Sequence, residues 1–262
     1  NISKKAKEKT PRGRNKKCYT GGMAVYKTKL VKKEEVADGT MAFYLEKPDS
    51  FNFIAGQYMT VTLINPPETD DEGNSRFLSI ASAPHEKYLM FATRMRDTAF
   101  KRVLKNLPIG SEVKIDGPDG SFYLHKNVSK SAVFLIGGIG ITPIFSMIKN
   151  AAYAKLPHKL FLFYSNKRPK DSAFLKDLQN LEKENPNFKL ITTMTGIDNS
   201  KIPWQGEIGF INKEMIQKHI EDLFSPIYYM SGPPKMVKAM RELLEKIGIS
   251  EDNIRFEEFT GY

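Results

Sequence analysis

Ala132-Val133-Phe134-Leu135-Ile136-Gly137-Gly138-Ile139-Gly140-Ile141-Thr142-Pro143 runs from an unbroken apolar segment into three glycines, a hydroxyl residue and a proline. Five apolar residues without polar alternation read as a strand buried on both faces, the kind found in parallel sheets. Beyond the turn, Ile144, Met147, Ile148 and Ala151 recur on one face at helical spacing. A helix is therefore predicted from Thr142, with Thr142 as its N-cap and Pro143 at its first position. The glycines permit a tight turn and let backbone approach a ligand closely. The free N–H groups and positive dipole end at such a helix start suit a pyrophosphate. Pro143 stands where the dinucleotide fingerprint has its third glycine, so a turn that only packs the helix onto the sheet is the alternative.

Downstream the grammar repeats. Strands are expected over 160–164, 188–193, 227–231 and 253–256. Helices are expected around Phe174–Leu181, over 212–219 and over 234–247, the last stopped by Gly248. Strand–helix alternation implies a parallel sheet with crossover helices. At the end of the predicted strand 227–231 stands a second glycine turn, Ser231-Gly232-Pro233-Pro234. Ligands of open α/β sheets gather at those strand ends, so the two turns mark one crevice.

Upstream the pattern is different. Short runs rich in Val, Ile, Thr, Tyr and Phe (24–32, 40–46, 58–64, 77–82, 88–95 and 112–116) are separated by turn signals and by an acidic loop, 65–75. One helix interrupts them, capped by Thr98 or Asp97, with Phe100, Val103 and Leu104 on one face. Such short strands predict a small antiparallel barrel or sandwich. The expected fold is thus two-domain: an antiparallel Greek-key β-barrel over 22–128, then an α/β parallel-sheet domain over 129–262. Residues 1–21 are expected to form a basic tail or linker.

Composition bounds the function. The 262 residues carry a formal charge of +10, of which +7 lies between Lys4 and Lys17, where eight Lys or Arg face one Glu. The expectation is a solvated tail with no nucleic-acid partner, and a membrane or a fused N-terminal partner left open. A chain starting at Asn1 is read as a processed product or a fragment. Cys18 is the single cysteine, which excludes an internal disulfide and any cluster held by several thiolates. His85, His125, His158 and His219 are scattered and are read as surface or turn residues. No run is long and apolar enough to span a bilayer, so the expected location is the cytoplasm, or the cytoplasmic face of a membrane.

Arg76-Phe77-Leu78-Ser79 puts a cation beside a hydroxyl on an otherwise apolar strand, a phosphate clamp with a hydrogen-bonding group. Together with Gly117–Phe122 (GPDGSF), the 137–143 turn, Ser231–Met236 (SGPPKM) and the closing EEFTGY, it resembles the ferredoxin–NADP reductase superfamily. The resemblance covers Gly22 to Tyr262. It implies FAD and NADPH or NADH as cofactors. It also implies hydride exchange between nicotinamide and flavin, and an external electron acceptor or donor, either a small redox protein or a small molecule. Residue by residue, it implies that Arg76, Phe77, Leu78, Thr93, Arg94, Thr98 and Lys101 hold the flavin. Ser79 would sit at its reactive nitrogen. Gly138, Gly140, Thr142 and Pro143 would cradle the dinucleotide, and Ser231, Gly232, Pro233 and Met236 would border the nicotinamide. Phe259, or alternatively Tyr262, would cover the flavin face. Ser79, Ser231 and Phe259 are the catalytic candidates. Leu78 departs from the family's stacking aromatic, Ser231 from a frequent cysteine, and Lys101 from a small hydroxyl residue.

The choice of nucleotide is expected to lie in Ser165-Asn166-Lys167-Arg168 at the end of the second parallel strand. No carboxylate is there to take ribose hydroxyls, while Lys167 and Arg168 suit a 2′-phosphate. NADPH is favoured on that ground. The other readings are a dehydrogenase part of a larger membrane reductase or oxidase, and a module that keeps the fold without turnover.

Overall fold

The computed structural model describes residues 24–197 and 204–259, so the basic tail, Cys18 and Tyr262 lie outside the described residues. Two six-stranded sheets account for the architecture. The first is antiparallel, built from β1 (Val25–Ala37), β2 (Thr40–Glu46), β3 (Tyr58–Leu63), β4 (Ser75–Ser79), β5 (Tyr88–Arg94) and β6 (Glu112–Asp119) in the order β4-β3-β6-β1-β2-β5. It rolls up so that its end strands meet: just past β4, Ala81 N donates to Met90 O of β5 at 2.6 Å. Period-two alternation decides which residues fill it, and Leu30, Phe43, Met59, Val61, Phe91 and Ile115 form its interior. Helix α1 (Ala99–Asn106) plugs one end with Phe100, Val103 and Leu104, and Thr98 caps it by accepting from Lys101 N.

The second sheet combines β7 (Ala132–Gly137), β8 (Leu160–Asn166), β9 (Phe188–Met194), β10 (Glu207–Ile208), β11 (Ile227–Gly232) and β12 (Ile254–Glu258) in the order β10-β9-β8-β7-β11-β12, all parallel. Helices α2 (Ile141–Tyr153), α3 (Leu175–Glu184), α4 (Lys213–His219) and α5 (Pro234–Ile247) cross over it. β7 is buried at every position, as its unbroken apolar run requires. Its faces feed two cores: Phe134 and Ile136 look to α2 and α3, and Val133 and Leu135 to α4 and α5.

Two expectations are corrected. The helix after the glycine turn begins one residue early, at Ile141, because Gly138–Gly140 form a single 3₁₀ turn and Gly140 takes the N-cap place. Thr142 is then helical and 1% exposed. Its hydroxyl donates to Ile139 O at 3.1 Å, so it caps nothing. Nor are the histidines all at the surface. His125 and His158 are buried where the connection out of the barrel crosses the second sheet: His125 Nε2 meets Lys130 O at 3.0 Å and Nδ1 meets the Tyr229 hydroxyl at 3.0 Å. Burial, above the other influences on it, holds the His125 pKa below its ordinary value.

The two sheets are joined through the 82–88 turn and α2. Ser146 Oγ donates to Ser82 O at 2.6 Å, Lys149 pairs with Glu86, and the His85 ring stacks on Tyr153 at 3.7 Å. These contacts hold the barrel against the start of α2, which sets the relative placement of the cavities described next.

Candidate functional site

Two cavities open at the carboxyl ends of the parallel strands. The smaller, about 330 Å³, lies on the barrel side and is lined by Arg76, Phe77, Leu78, Ser79, Thr93, Arg94, Thr98 and Lys101, joined by Ile139, Thr142 and Phe259 from the second sheet. All the barrel residues implied as flavin ligands therefore come together in it. Strand β4 brings Arg76 and Ser79, β5 brings Thr93 and Arg94, and the start of α1 brings Thr98 and Lys101. Burial, with the neighbouring Arg96 and Arg76 cations, pulls the Lys101 pKa below its usual value. An ammonium in that setting is stabilised by an arriving anion. Phe77 is 75% exposed at the rim, edge-on to Tyr58 at 5.7 Å, and Leu78 is half-buried inside. Phe259 reaches the cavity because its N–H donates to Gly232 O at 3.2 Å, which carries the chain beyond β12 across the sheet edge.

The larger cavity, about 640 Å³, is lined by Gly137, Gly138, Ser165, Asn166, Lys167, Pro233 and Met236, together with Arg94. The glycine turn behind it is required by space. A Cβ on Gly140 would lie 2.5 Å from the Ser231 carbonyl group and 2.6 Å from Gly232 N, so only glycine lets the 3₁₀ turn sit against the end of β11. Gly138, at φ 54°, adopts a conformation that favours glycine. Asn166 is only 5% exposed, yet neither its amide nitrogen nor its oxygen has a protein partner. Unsatisfied polar atoms at that depth are expensive unless a ligand completes them. An amide that both donates and accepts, beside a glycine cradle, fits a ribose or base edge of a dinucleotide.

Other predicted residues are placed differently. Thr142 borders the barrel-side cavity and not the nucleotide cradle, while Gly140 and Pro143 are packing residues that border neither. Arg168 turns away: its guanidinium takes both carboxylate oxygens of Asp171 (2.9 and 2.7 Å) and approaches Asp38 at 3.6 Å, leaving Lys167 to face the cavity. Ser231 is wholly buried, its hydroxyl without a partner. Arg94 borders both cavities, and among the described residues no hydrogen bond or ion pair holds its guanidinium.

Several residues were not anticipated. Glu257 is the register partner of Ser231 across the β11–β12 pair, and its Oε2 is buried and unpartnered. Burial pushes this carboxyl up to about 7. Helix α5 also contributes Lys235, Ala239, Glu242, Leu243 and Lys246 to the larger cavity. Their three- and four-residue spacing was a readable helical face. On the barrel side, Asp70 and Glu72 from the acidic loop pair with Arg76 at 3.2 and 2.9 Å.

The chain is similar to several known proteins. Residues 134–242 match the oxidoreductase NAD-binding domain family. The chain is 28% identical, over 84% of its length, to the glycine betaine monooxygenase reductase subunit of Chromohalobacter salexigens, and covers 60% of that protein. It is 34% identical, over 60% of its length, to NADH-cytochrome b5 reductase 1 of Dictyostelium discoideum, and covers 54% of it. The chain thus spans little more than half the length of these curated relatives. A ferredoxin NADP+ reductase from Neisseria gonorrhoeae, solved with FAD and NADP bound, superposes with a TM-score of 0.75 at 19% identity, covering 89% of this chain and 98% of that one.

Proposed function

We propose that this chain, a ferredoxin–NADP reductase-like module of a flavin barrel and a pyridine-nucleotide domain divided near residue 128, exchanges hydride between NAD(P)H and FAD and passes electrons to an external acceptor. The observation that carries the reading is the meeting of two cavities at Arg94, whose guanidinium has no partner among the described residues, with anion-binding groups on one side and a glycine turn on the other. When bound, the cofactors supply hydride transfer between nicotinamide C4 and flavin N5, and the flavin's capacity to take two electrons and release them singly.

The chain supplies binding and orientation. Arg76, Lys101 and the N–H groups at the start of α1 would hold the flavin phosphates, and Ser79 would hydrogen-bond the edge of the ring. Leu78 offers shape but no stacking face, so it would hold the ring less rigidly than an aromatic residue. Gly138 and Asn166 would hold the dinucleotide, Met236 and Pro233 would border its nicotinamide end, and Arg94 would serve the phosphates of both cofactors. Phe259 would exclude water from the flavin face until the nicotinamide replaces it. Ser231 and Glu257 would stand behind the reacting edge, the latter carrying an exchangeable proton near neutrality.

NADPH is the nucleotide we favour, on Lys167 facing the cavity and on the absence of a carboxylate at the end of β8. Among the described residues no helix is long and apolar enough to cross a membrane. We place the module in the cytoplasm or at the cytoplasmic face of a membrane. Because the chain spans only part of its relatives, a second reading is a reductase module within a larger electron-transfer protein.

The test is the visible spectrum of the purified, FAD-reconstituted protein during anaerobic NADPH addition. Bleaching of a band near roughly 450 nm is expected. A protein that stays colourless after incubation with FAD refutes the reading.

A further inference from the structure

The anion seat on the barrel side already holds an anion of the protein's own. Asp70, in the loop between β3 and β4, places Oδ1 3.2 Å from Arg76 Nη2, while its Oδ2 accepts the Ala99 N–H at 3.0 Å. One carboxylate thus bridges the guanidinium and the first N–H group of α1, the two features that make the seat anion-binding. The loop is shaped to deliver it: Gly73 N donates to Asp70 O at 2.8 Å, and Glu72 N donates to Asp70 Oδ1 at 3.2 Å. Arg76 is drawn further into the loop by Glu72 Oε2 at 2.9 Å, and its Nη1 donates to the carbonyls of Glu72, Gly73 and Ser75. The result is an Arg76 only 17% exposed, with its face on Phe100.

A carboxylate and a phosphate compete for such a seat, since each needs the same donors and repels the other. We infer that Asp70 is a built-in competitor for the flavin phosphate: it satisfies Arg76 and the α1 terminus in the flavin-free protein and is expelled when the flavin's phosphate arrives. The inference rests on the flavin reading above and adds to it a loop that sets how tightly and how fast flavin loads. Glu72, 71% exposed, borders the same cavity but holds no N–H group of α1, so its solvent-screened pairing with Arg76 makes it the weaker competitor.

The experiment is FAD binding to flavin-stripped protein, followed by quenching of flavin fluorescence, with wild type and Asp70→Asn compared. Asp70→Asn is expected to bind FAD about tenfold more tightly, the scale of one lost charge-assisted bond in the competing state. Glu72→Gln is expected to change affinity by less than about twofold. A second readout needs no variant. In hydrogen exchange on wild type, the amide of Glu72 should exchange faster with FAD bound than without, because expulsion of the Asp70 carboxylate breaks its bond to Oδ1. Weaker FAD binding in Asp70→Asn, or greater protection of the Glu72 amide on FAD addition, would overturn the inference and make Asp70 a positioning residue for Arg76. Absence of FAD binding in both proteins would overturn the flavin reading itself.

Discussion

The two cavities solve opposite problems. On the barrel side Arg76 and the start of α1 are already satisfied by the chain: Arg76 is wrapped by Asp70, Glu72 and three carbonyls, and α1 has both Thr98 and Asp70 at its start. On the α/β side the shape is fixed and the polar groups are not satisfied. Asn166 has no partner for its side-chain amide, and Gly140 is wedged where a Cβ cannot fit. The first cavity is held by electrostatics that a ligand must replace, the second by sterics that a ligand only has to complete. Affinity in the first should therefore respond to charge, and in the second to volume.

The largest expected effect tests the steric half. Gly140→Ala puts a methyl against main chain that cannot yield. It should lower stability by about 3 kcal/mol and abolish nucleotide binding, measured by urea unfolding and by the anaerobic titration. A native-like midpoint would break the comparison. Next is the electrostatic half: Arg76→Ala should weaken FAD binding by about 100-fold while nucleotide affinity stays within about twofold, read by fluorescence and by isothermal titration. Equal losses on both sides would mean the cavities are not separable.

Glu257 gives a pH test. Its folded pKa, about 7 against an ordinary 4.5, is raised by burial, so the unfolded chain loses this proton first as pH rises. The stability tied to the neutral carboxyl is present below about pH 4.5 and is lost as pH rises through about 7. Glu257→Gln should therefore match wild type near pH 4.5 and exceed it by about 2 kcal/mol at pH 8, in paired urea titrations. A constant difference across that range would assign Glu257 an unshifted carboxyl. Arg94→Ala should cost about tenfold in both FAD and nucleotide affinity, the one substitution expected to act on both sides. The smallest effect is Lys167→Ala, with a severalfold loss of kcat/KM for NADPH and none for NADH. An equal effect on the two nucleotides would remove Lys167 from the choice between them.

Much of the fold was readable from local pattern. β7 followed from five adjacent apolar residues, α5 from its period and from Gly248, and the barrel strands from β-branched and aromatic runs between turn signals. Ends were harder, because hydrogen bonding carried β1 on to Ala37 and β8 to Asn166 beyond their apolar stretches. The flavin-side residues were readable as motifs, and seven of those named from the barrel, with Ser79, converge on one cavity. Thr142 was expected as the cap of the nucleotide turn, but a 3₁₀ turn supplies the helix start and Thr142 borders the barrel-side cavity. Arg168 was misread because its carboxylate partners are Asp171, three residues on, and Asp38, far away in the barrel. Asp70 escaped for a related reason: an acidic loop in a sequence looks solvated until the fold shows which cation it meets.

What the sequence determined by itself is local. Apolar period fixes strand against helix, glycine and proline fix where the chain turns, and these together fix two sheets and the strand ends where ligands gather. What only the tertiary structure decided is which charges are spent and which remain. Arg76 and Arg168 are bound by carboxylates of their own chain, whereas Arg94 is left between the cavities and Asn166 is left without a partner. Coulomb and hydrogen-bond energies depend on distances across the fold that separation along the chain does not encode.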